Sequence, residues 1–113
     1  MLIIKSPIKT NELKKYAENK FGNLVKAVVD INQGIMAIDG ELHADEEALL
    51  IEQGSNQQDL WGINIYPDLN RNEWIEYDSM INLKPAQGNR SRGVDDPKIK
   101  EIIDQIVNKL IEP

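Results

Sequence analysis

Apolar residues near the C-terminus recur at intervals of three and four positions, a spacing that is typical of an amphipathic helix. The apolar positions are Ile99, Ile102, Ile103, Ile106, Val107, Leu110 and Ile111. Asp96 can cap this helix and Pro97 can occupy its first turn, so the helix is predicted to begin there. Burial of one such side chain contributes about 1.5–3 kcal/mol before conformational entropy is counted. We therefore expect the helix to pack on the apolar face of a sheet.

The stretch from Leu60 to Pro85 predicts two antiparallel strands joined by a polar loop. One class of register alone sets apolar side chains against apolar side chains. On the core face it pairs Ile65 with Ile75, Ile63 with Tyr77 and Trp61 with Ser79; on the other face it pairs Tyr66 with Trp74, Asn64 with Glu76, Gly62 with Asp78 and Leu60 with Met80. A slip by one residue would bury Glu76 and Asp78, and an unpaired buried carboxylate costs several kcal/mol.

The second face of this hairpin is predicted to carry aromatics, amides and carboxylates. Aromatic residues and arginine are favoured at protein contacts, so this face is our first candidate for an interaction surface. Its residues are Asn64, Tyr66, Arg71, Trp74 and Glu76. The expected partner is another protein or a second copy of the chain. The alternative is a solvated sheet face with two half-buried aromatics, which antiparallel sheets commonly have.

The N-terminal third predicts a short strand at residues 2–4, a helix and a second hairpin. Thr10 is the predicted N-cap of the helix, which ends near Phe21 and is stopped by Gly22. The hairpin strands lie at 24–31 and 35–38. A right-handed crossover would lay the first strand parallel to the strand that follows the helix.

Residues 41–44 fit either a short strand or an extended lead-in. Asp45 can then cap a short helix that ends at Gly54. The predicted buried side of that helix is Ala48, Leu49 and Ile51. The whole chain, residues 1–113, is expected to form one α+β domain. It is predicted to have a mostly antiparallel, twisted sheet of four to five strands, with two main helices on one face and a short helix in a connection.

Composition narrows the function classes. The net charge of −6 argues against a general nucleic-acid binder, whose affinity rests on neutralising phosphates. No apolar run approaches the roughly 20 residues of a membrane span. The absence of cysteine excludes disulfides and thiolate catalysis. We expect a cytoplasmic protein that has no cofactor and contacts neither nucleic acid nor membrane.

Asp39, Glu41, His43 and Asp45 are spaced by two and would project from one side of an extended segment. Three carboxylates and an imidazole are ligands for a divalent cation such as zinc or manganese. However, Asp39 also suits a turn and Asp45 a helix cap. Because each local role explains its residue alone, we expect no metal.

The loop after Pro85 contains Asn89, Arg90, Ser91 and Arg92, between two glycines and just before a helix. Arginine and serine can hold an anion, and a helix N-terminus offers unpaired N–H groups. Asn82, shortly before the loop, is the fifth candidate ligand-binding residue. The alternative is that the arginines form ion pairs with the acidic middle of the chain and fasten the loop to the body.

His43 is the single histidine, and with Asp78 or Glu76 it is a candidate for acid–base catalysis. Ser79 is a poor nucleophile because it is predicted to lie on the core face. No nucleophile-elbow sequence accompanies it. Whether the protein is an enzyme therefore stays open.

Two long segments, GELHADEEALLIEQGSNQQDLWGINIYP and IEYDSMINLKPAQGNRSRGV, carry a resemblance. With the helix that follows, they resemble a family of short, uncharacterised bacterial and archaeal proteins, a domain of unknown function. The resemblance runs from Val25 onward, and its most specific motifs are LWGINIYP and DSMINLKPAQGNRSRG. It implies a self-standing cytoplasmic domain and supplies no activity, cofactor or site residue.

Two hypotheses for function follow. The first is a non-enzymatic binding or interaction module that uses the polar and aromatic face of the central hairpin. The second is a small enzyme or sensor for an anionic ligand that the Asn-Arg-Ser-Arg loop clamps. Convergence of His43, Asp78, Asn82 and this loop on one pocket would favour the second hypothesis, and their scatter would favour the first.

Overall fold

The structure is a computed structural model that describes every residue from Met1 to Pro113. It has the predicted α+β fold, with three helices, an antiparallel sheet of five strands and a separate parallel pair. The helices are α1 (Thr10–Lys20), α2 (His43–Glu52) and α3 (Pro97–Leu110). The strands are β1 (Leu2–Ile4), β2 (Ile8–Lys9), β3 (Val25–Asp30), β4 (Ile35–Ile38), β5 (Leu60–Ile65), β6 (Ile75–Glu76) and β7 (Ile111–Glu112). None of the helices combines the length and apolarity needed to pass through a membrane.

The main sheet has the strand order β1-β4-β3-β5-β6, and every neighbouring pair is antiparallel. Strands β3 and β4 form the predicted hairpin. Strand β1 runs in the same direction as β3, as the crossover rule predicted, but β4 lies between them. The long central partner of β3 is β5, which pairs with it along all six residues.

Helices α1 and α3 cover one face of the sheet. Their side chains Leu13, Ala17, Ile103 and Val107 join a cluster of 17 buried hydrophobic residues. The predicted start of α3 is confirmed, because the Asp96 side chain accepts a hydrogen bond from the Lys98 N–H at 2.9 Å. Ile102 departs from the predicted buried stripe, since 38% of its surface is exposed.

The opposite face of the sheet is also covered, so the expectation of a solvated face is wrong. Helix α2 and the turn Met80–Asn82 lie across it. Val28, Ala37, Leu50 and Leu60 form a second, smaller buried cluster there. With a layer on each side, every residue of β5 is buried.

The predicted register of the central hairpin is confirmed where its two strands pair, at Asn64–Glu76 and Ile65–Ile75. The second strand is shorter than predicted, because the chain leaves the sheet after Glu76. Farther along β5, the Asn82 side chain takes the place of a strand. Its Oδ1 accepts the Gly62 N–H at 2.8 Å and its Nδ2 donates to the Gly62 carbonyl at 2.9 Å. A single amide therefore satisfies the two backbone groups that a longer β6 would have paired.

Helix α2 begins at His43, so residues 41–44 do not form a strand and Asp45 is not the cap. Its buried face consists of His43, Glu46 and Leu50, which are spaced by three and four. The prediction of which residues of this helix are buried is wrong, because the helix turns a different side toward the sheet. Ile51, which was predicted to be buried, is 42% exposed. Glu46 is fully buried, and its Oε2 accepts the Gly40 N–H at 3.0 Å. Its second oxygen has no partner, and burial raises the pKa of Glu46 to about 8.

The two ends of the helical layer are tied together by a parallel pair of strands that the sequence pattern did not predict. Ile8 and Lys9 of β2 pair with Ile111 and Glu112 of β7. The Thr10 hydroxyl donates to the Glu112 carbonyl at 2.7 Å, so it does not cap α1 as expected. Instead, Thr10 joins the start of α1 to the chain just beyond the end of α3.

Candidate functional site

A cleft of about 350 Å³ lies where α2 begins, between this helix and the segment that follows β6. We call it the His43 cleft. Its polar lining is Lys26, His43, Asn64, Asp78, Ser79 and Arg92, and its apolar lining includes Leu42, Met80 and Ile81. The structure therefore brings together the two acid–base candidates, His43 and Asp78, with one arginine of the predicted anion loop. These residues come from β3, α2, β5 and two loops, so the cleft exists only in the folded chain.

Gly62 forms the floor between His43 and Ser79. A Cβ at this position would lie 2.5 Å from Ser79 Oγ and 3.2 Å from His43 Cγ. The Ser79 N–H donates to the Arg92 carbonyl at 2.9 Å, which fixes the segment over the strand. Glycine is therefore required for these two side chains to approach β5 so closely.

His43 is held with one ring nitrogen inward. Its Nε2 lies 2.7 Å from the Ile63 carbonyl oxygen, and because a carbonyl only accepts, Nε2 carries the hydrogen. Nδ1 is then an unprotonated acceptor, and it makes no hydrogen bond within the protein. Burial, more than any other cause, lowers the pKa of His43 below 6.5. The ring is therefore neutral near pH 7, with a lone pair available to a ligand.

Asn64, which also lines the cleft, has an unpaired hydrogen-bond acceptor buried beneath its surface. Its residue is 6% exposed, and its Nδ2 donates to Glu76 Oε1 at 2.8 Å. A carboxylate accepts hydrogen bonds, so this contact fixes which end of the amide faces Glu76. The other end, Oδ1, is buried and has no partner. An unsatisfied buried acceptor costs about 1–3 kcal/mol, so a donor that reached Asn64 would be strongly favoured.

Two cations and one carboxylate line the same cleft. Arg92 Nε donates to Asp78 Oδ1 at 2.6 Å, and about half of each side chain is exposed. Lys26 lies on the floor strand β3, and its Nζ is 5.6 Å from the centroid of the Phe21 ring. Lys26 and Arg92 both act to lower the pKa of His43, and Asp78 acts to raise it. All three charges therefore lie close enough to act on a group in the cleft.

The other three residues of the predicted anion clamp, Asn89, Arg90 and Ser91, do not line the cleft, so the structure does not bring the four together there. Asn89 is 4% exposed and holds the loop together, because its Nδ2 donates to the Asn82 carbonyl at 2.7 Å. The Ser91 hydroxyl and the Arg90 N–H donate to Asp95, at 2.6 and 3.1 Å. These bonds, the Ser91 bond foremost, lower the pKa of Asp95. Asn82 is fully buried beneath the segment and is structural rather than ligand-facing.

The predicted interaction surface is divided between two sides of the protein. Asn64 and Tyr66 both contact Glu76. Glu76 Oε1 accepts hydrogen bonds from Asn64 Nδ2 and, at 3.1 Å, from the Tyr66 hydroxyl. Trp74 instead joins the cluster under α1 and α3 and is 4% exposed. The 3-10 turn Arg71–Glu73 precedes it and leaves Trp74 with helical backbone angles, so it does not follow the alternation of the strand.

Arg71 follows Trp74 to this opposite side. Its guanidinium lies 3.8 Å from the centroid of the Trp74 ring and donates to the Ile111 carbonyl at 2.6 Å. A depression of about 370 Å³ adjoins it, lined also by Tyr77 and Asp104. There Tyr77 bonds to Asp104 and Arg71 to Asn108, so its polar groups already satisfy one another.

The four residues of the proposed metal set do not converge. Asp39 sits in a left-handed turn with φ of 65° and lies 3.7 Å from Lys20 Nζ. Glu41 and Asp45 are exposed, and His43 turns into the cleft. No group of three or more histidine, aspartate and glutamate side chains has the arrangement that a metal ion needs.

Sequence reasoning missed Lys26, the free oxygen of Asn64 and the burial of Glu46. Lys26 had a signal, since it is the one cation inside the apolar run VKAVVD. Asn64 was assigned to the correct face but was expected to meet solvent. Its burial depends on α2 and the segment after β6, whose positions no local pattern indicated.

Comparison of the chain with curated proteins and with solved structures finds no match. Comparison with protein families finds one whose description is "Protein of unknown function (DUF5674)", and its sequence model matches residues 2–110. The chain belongs to this family. The match includes the first strand and helix, which the resemblance noted from Val25 onward did not cover.

Proposed function

We propose, for a member of a family whose function is unknown, that the His43 cleft binds a small molecule that carries an anionic group and also donates hydrogen bonds. The observation that carries this proposal is Asn64, a residue of the cleft lining whose buried Oδ1 has no hydrogen-bond partner. A buried polar group in a folded protein is nearly always paired, so an orphan inside a cleft indicates a missing donor.

The charges of the cleft favour an anion. Lys26 and Arg92 supply two positive charges, and Asp78 supplies one negative charge. The neutral His43 adds a second acceptor beside Asn64. A ligand that suits all of these groups therefore carries both a negatively charged group and N–H or O–H donors.

The size of the cleft also restricts the ligand. Its volume of about 350 Å³ lies near the lower end of the roughly 300–1,000 Å³ of small-molecule sites. This proposal develops the hypothesis of a sensor or enzyme for an anionic ligand, with Arg92 alone replacing the loop clamp. An interaction surface that joins Asn64 to Trp74 is not supported, because these two residues pack on opposite sides of the sheet.

Acid–base catalysis by His43 is a second candidate, favoured by its free Nδ1 and its lowered pKa. A neutral imidazole whose other nitrogen is fixed is suited to accept a proton from a bound molecule. Ser79 is not suited to act as a nucleophile beside it, since Ser79 is 1% exposed and packs against Gly62. His43→Gln is expected to abolish turnover of any substrate found while leaving the chain folded.

Isothermal titration calorimetry with acetate, phosphate and lactate tests the binding proposal, since lactate adds a hydroxyl donor to a carboxylate. We expect lactate to bind more tightly than acetate and Arg92→Ala to weaken binding at least about tenfold, the loss of one charged hydrogen bond. Arg90→Ala is the matched control, because Arg90 is in the same loop but outside the cleft. Equal effects of the two substitutions, or no heat with any of the three anions, would contradict the proposal.

A further inference from the structure

The His43 cleft combines unpaired hydrogen-bond acceptors with two cations and an apolar mouth. Asn64 Oδ1 and His43 Nδ1 are acceptors without a protein donor. Asp78 uses one carboxylate oxygen for Arg92, which leaves Oδ2 as a third acceptor. A simple carboxylate such as acetate has no hydrogen to offer these three atoms, so it would leave the buried Asn64 oxygen unsatisfied.

From this arrangement we infer that the ligand of the cleft is an α-amino acid zwitterion with an apolar side chain. The inference rests on the proposed function and names the class of molecule that the cleft takes. An ammonium group has three N–H donors, which matches the three open acceptors in number and in kind.

The carboxylate of the same molecule suits the two cations. Arg92 bonds Asp78 through Nε, so its terminal nitrogens remain for a second carboxylate. Guanidinium binds carboxylates through paired N–H groups, and Lys26, which also lines the cleft, adds a second positive charge. Asp78 and Arg92 are paired with each other. The ammonium group of a zwitterion can therefore lie next to Asp78 while its carboxylate lies next to Arg92.

The mouth of the cleft accounts for an apolar side chain. Leu42 and Met80 line it, and they are 59% and 62% exposed, the two highest values among the large hydrophobic residues of the chain. A leucine-sized side chain would cover both, and methionine adapts readily to the shape of such a group. Glycine or alanine would leave this apolar surface in water.

Calorimetry of the full chain with L-leucine, N-acetyl-leucine, leucinamide and glycine tests each part of the molecule. We expect leucine to bind and each of the others to bind at least about tenfold more weakly, because each lacks one recognised group. N-acetyl-leucine also stands for the C-terminus of a peptide, and leucinamide for its N-terminus. If either binds within about threefold of leucine, a peptide end is the ligand and the inference of a free zwitterion is wrong.

Met80→Ala tests the mouth without disturbing the core, since Met80 is largely exposed. It should weaken leucine binding several-fold and leave glycine binding unchanged, whereas Ile51→Ala, an exposed apolar change outside the cleft, should alter neither. Loss of affinity for both amino acids on Met80→Ala would overturn the role of the mouth. If acetate and lactate bind through Arg92 but leucine does not, the inference fails and the proposed function stands. If none of these molecules binds, both fail.

Discussion

Glu46→Gln should change how the stability of the protein depends on pH. Glu46 is fully buried, one oxygen accepts the Gly40 N–H, and the other has no partner. Burial raises its pKa from 4.5 to about 8. Between these two values the folded protein holds a proton that the unfolded chain releases. Stability therefore falls as pH rises through this window, because the slope follows the difference in bound protons.

The size of the effect follows from the two pKa values. The difference between 4.5 and about 8, at about 1.4 kcal/mol per pH unit, amounts to about 5 kcal/mol. Glutamine keeps an oxygen for the Gly40 N–H but cannot ionise. At pH 4 the substitution should cost up to about 3 kcal/mol, since it places an extra N–H where no acceptor lies. Between pH 4 and 9 the difference between the two proteins should move by about 5 kcal/mol in favour of the variant.

Urea denaturation of both proteins at intervals of one pH unit from 4 to 9 measures this difference. Comparing the two proteins removes the contributions of those titrating groups that do not interact with Glu46. Glu52→Gln is the matched control, because Glu52 is an exposed residue of the same helix. If the stability difference for Glu46→Gln is as independent of pH as that for Glu52→Gln, the buried carboxyl does not hold its proton and the reasoning is wrong.

Three further outcomes are expected. Gly62→Ala should lower the free energy of unfolding, measured in urea, by about 1–3 kcal/mol, because its methyl would lie 2.5 Å from Ser79 Oγ. Gly93→Ala is the control and should change the free energy of unfolding little, because the nearest atom to its methyl would be 3.4 Å away. If the two substitutions lower the free energy of unfolding equally, the close packing of Ser79 on Gly62 is contradicted. Asn82→Ala should lower the free energy of unfolding by roughly 2–6 kcal/mol, because two buried backbone groups of Gly62 lose their partners at about 1–3 kcal/mol each. A decrease below about 1 kcal/mol would show that water replaces the amide. NMR titration of His43 should give a midpoint below 6.5 and the tautomer with hydrogen on Nε2. The folded state then binds fewer protons than the unfolded chain, so this group lowers stability as pH falls below 6.5; a midpoint above 6.5 would refute the assignment.

The sequence was sufficient for features that depend on one element or one pair. The start of α3 follows from Asp96 and Pro97, whose local chemistry has few alternatives. The pairing of Ile65 with Ile75 follows from alternation, because a slip would bury carboxylates. These predictions hold since the forces involved act between neighbours in sequence or across one ladder.

Features that depend on a third element could not be predicted in this way. The apolar run of α2 fits more than one helical phase, and the phase that forms places Glu46 against Gly40 and Leu50 in the second buried cluster. The second strand was predicted too long because nothing in the alternation shows that the Asn82 amide replaces the strand beside Gly62. The Trp74 side chain lies on the opposite side of the sheet from the one predicted, because a 3-10 turn just before it interrupts the alternation of side chains along the strand.

The candidate cleft was foreseen in part. His43, Asp78 and Arg92 were each singled out for their chemistry, and they lie in one cleft. The clamp of Asn89, Arg90 and Ser91 was not formed, because asparagine and serine side chains bond most readily to backbone and acids within their own loop. Residue type thus indicated what chemistry was available, and the packing of α2 decided which residues share the cleft.

The amide of Asn82 also protects the protein from association. A sheet edge with free N–H and carbonyl groups invites the strand of another molecule, and natural proteins block such edges. β6 pairs with only two residues of β5, which would leave the outer edge beside Gly62 open. Asn82 occupies that edge from within the same chain, so no foreign strand can add there. Loss of this side chain would therefore expose a template for edge-to-edge aggregation as well as weaken the fold.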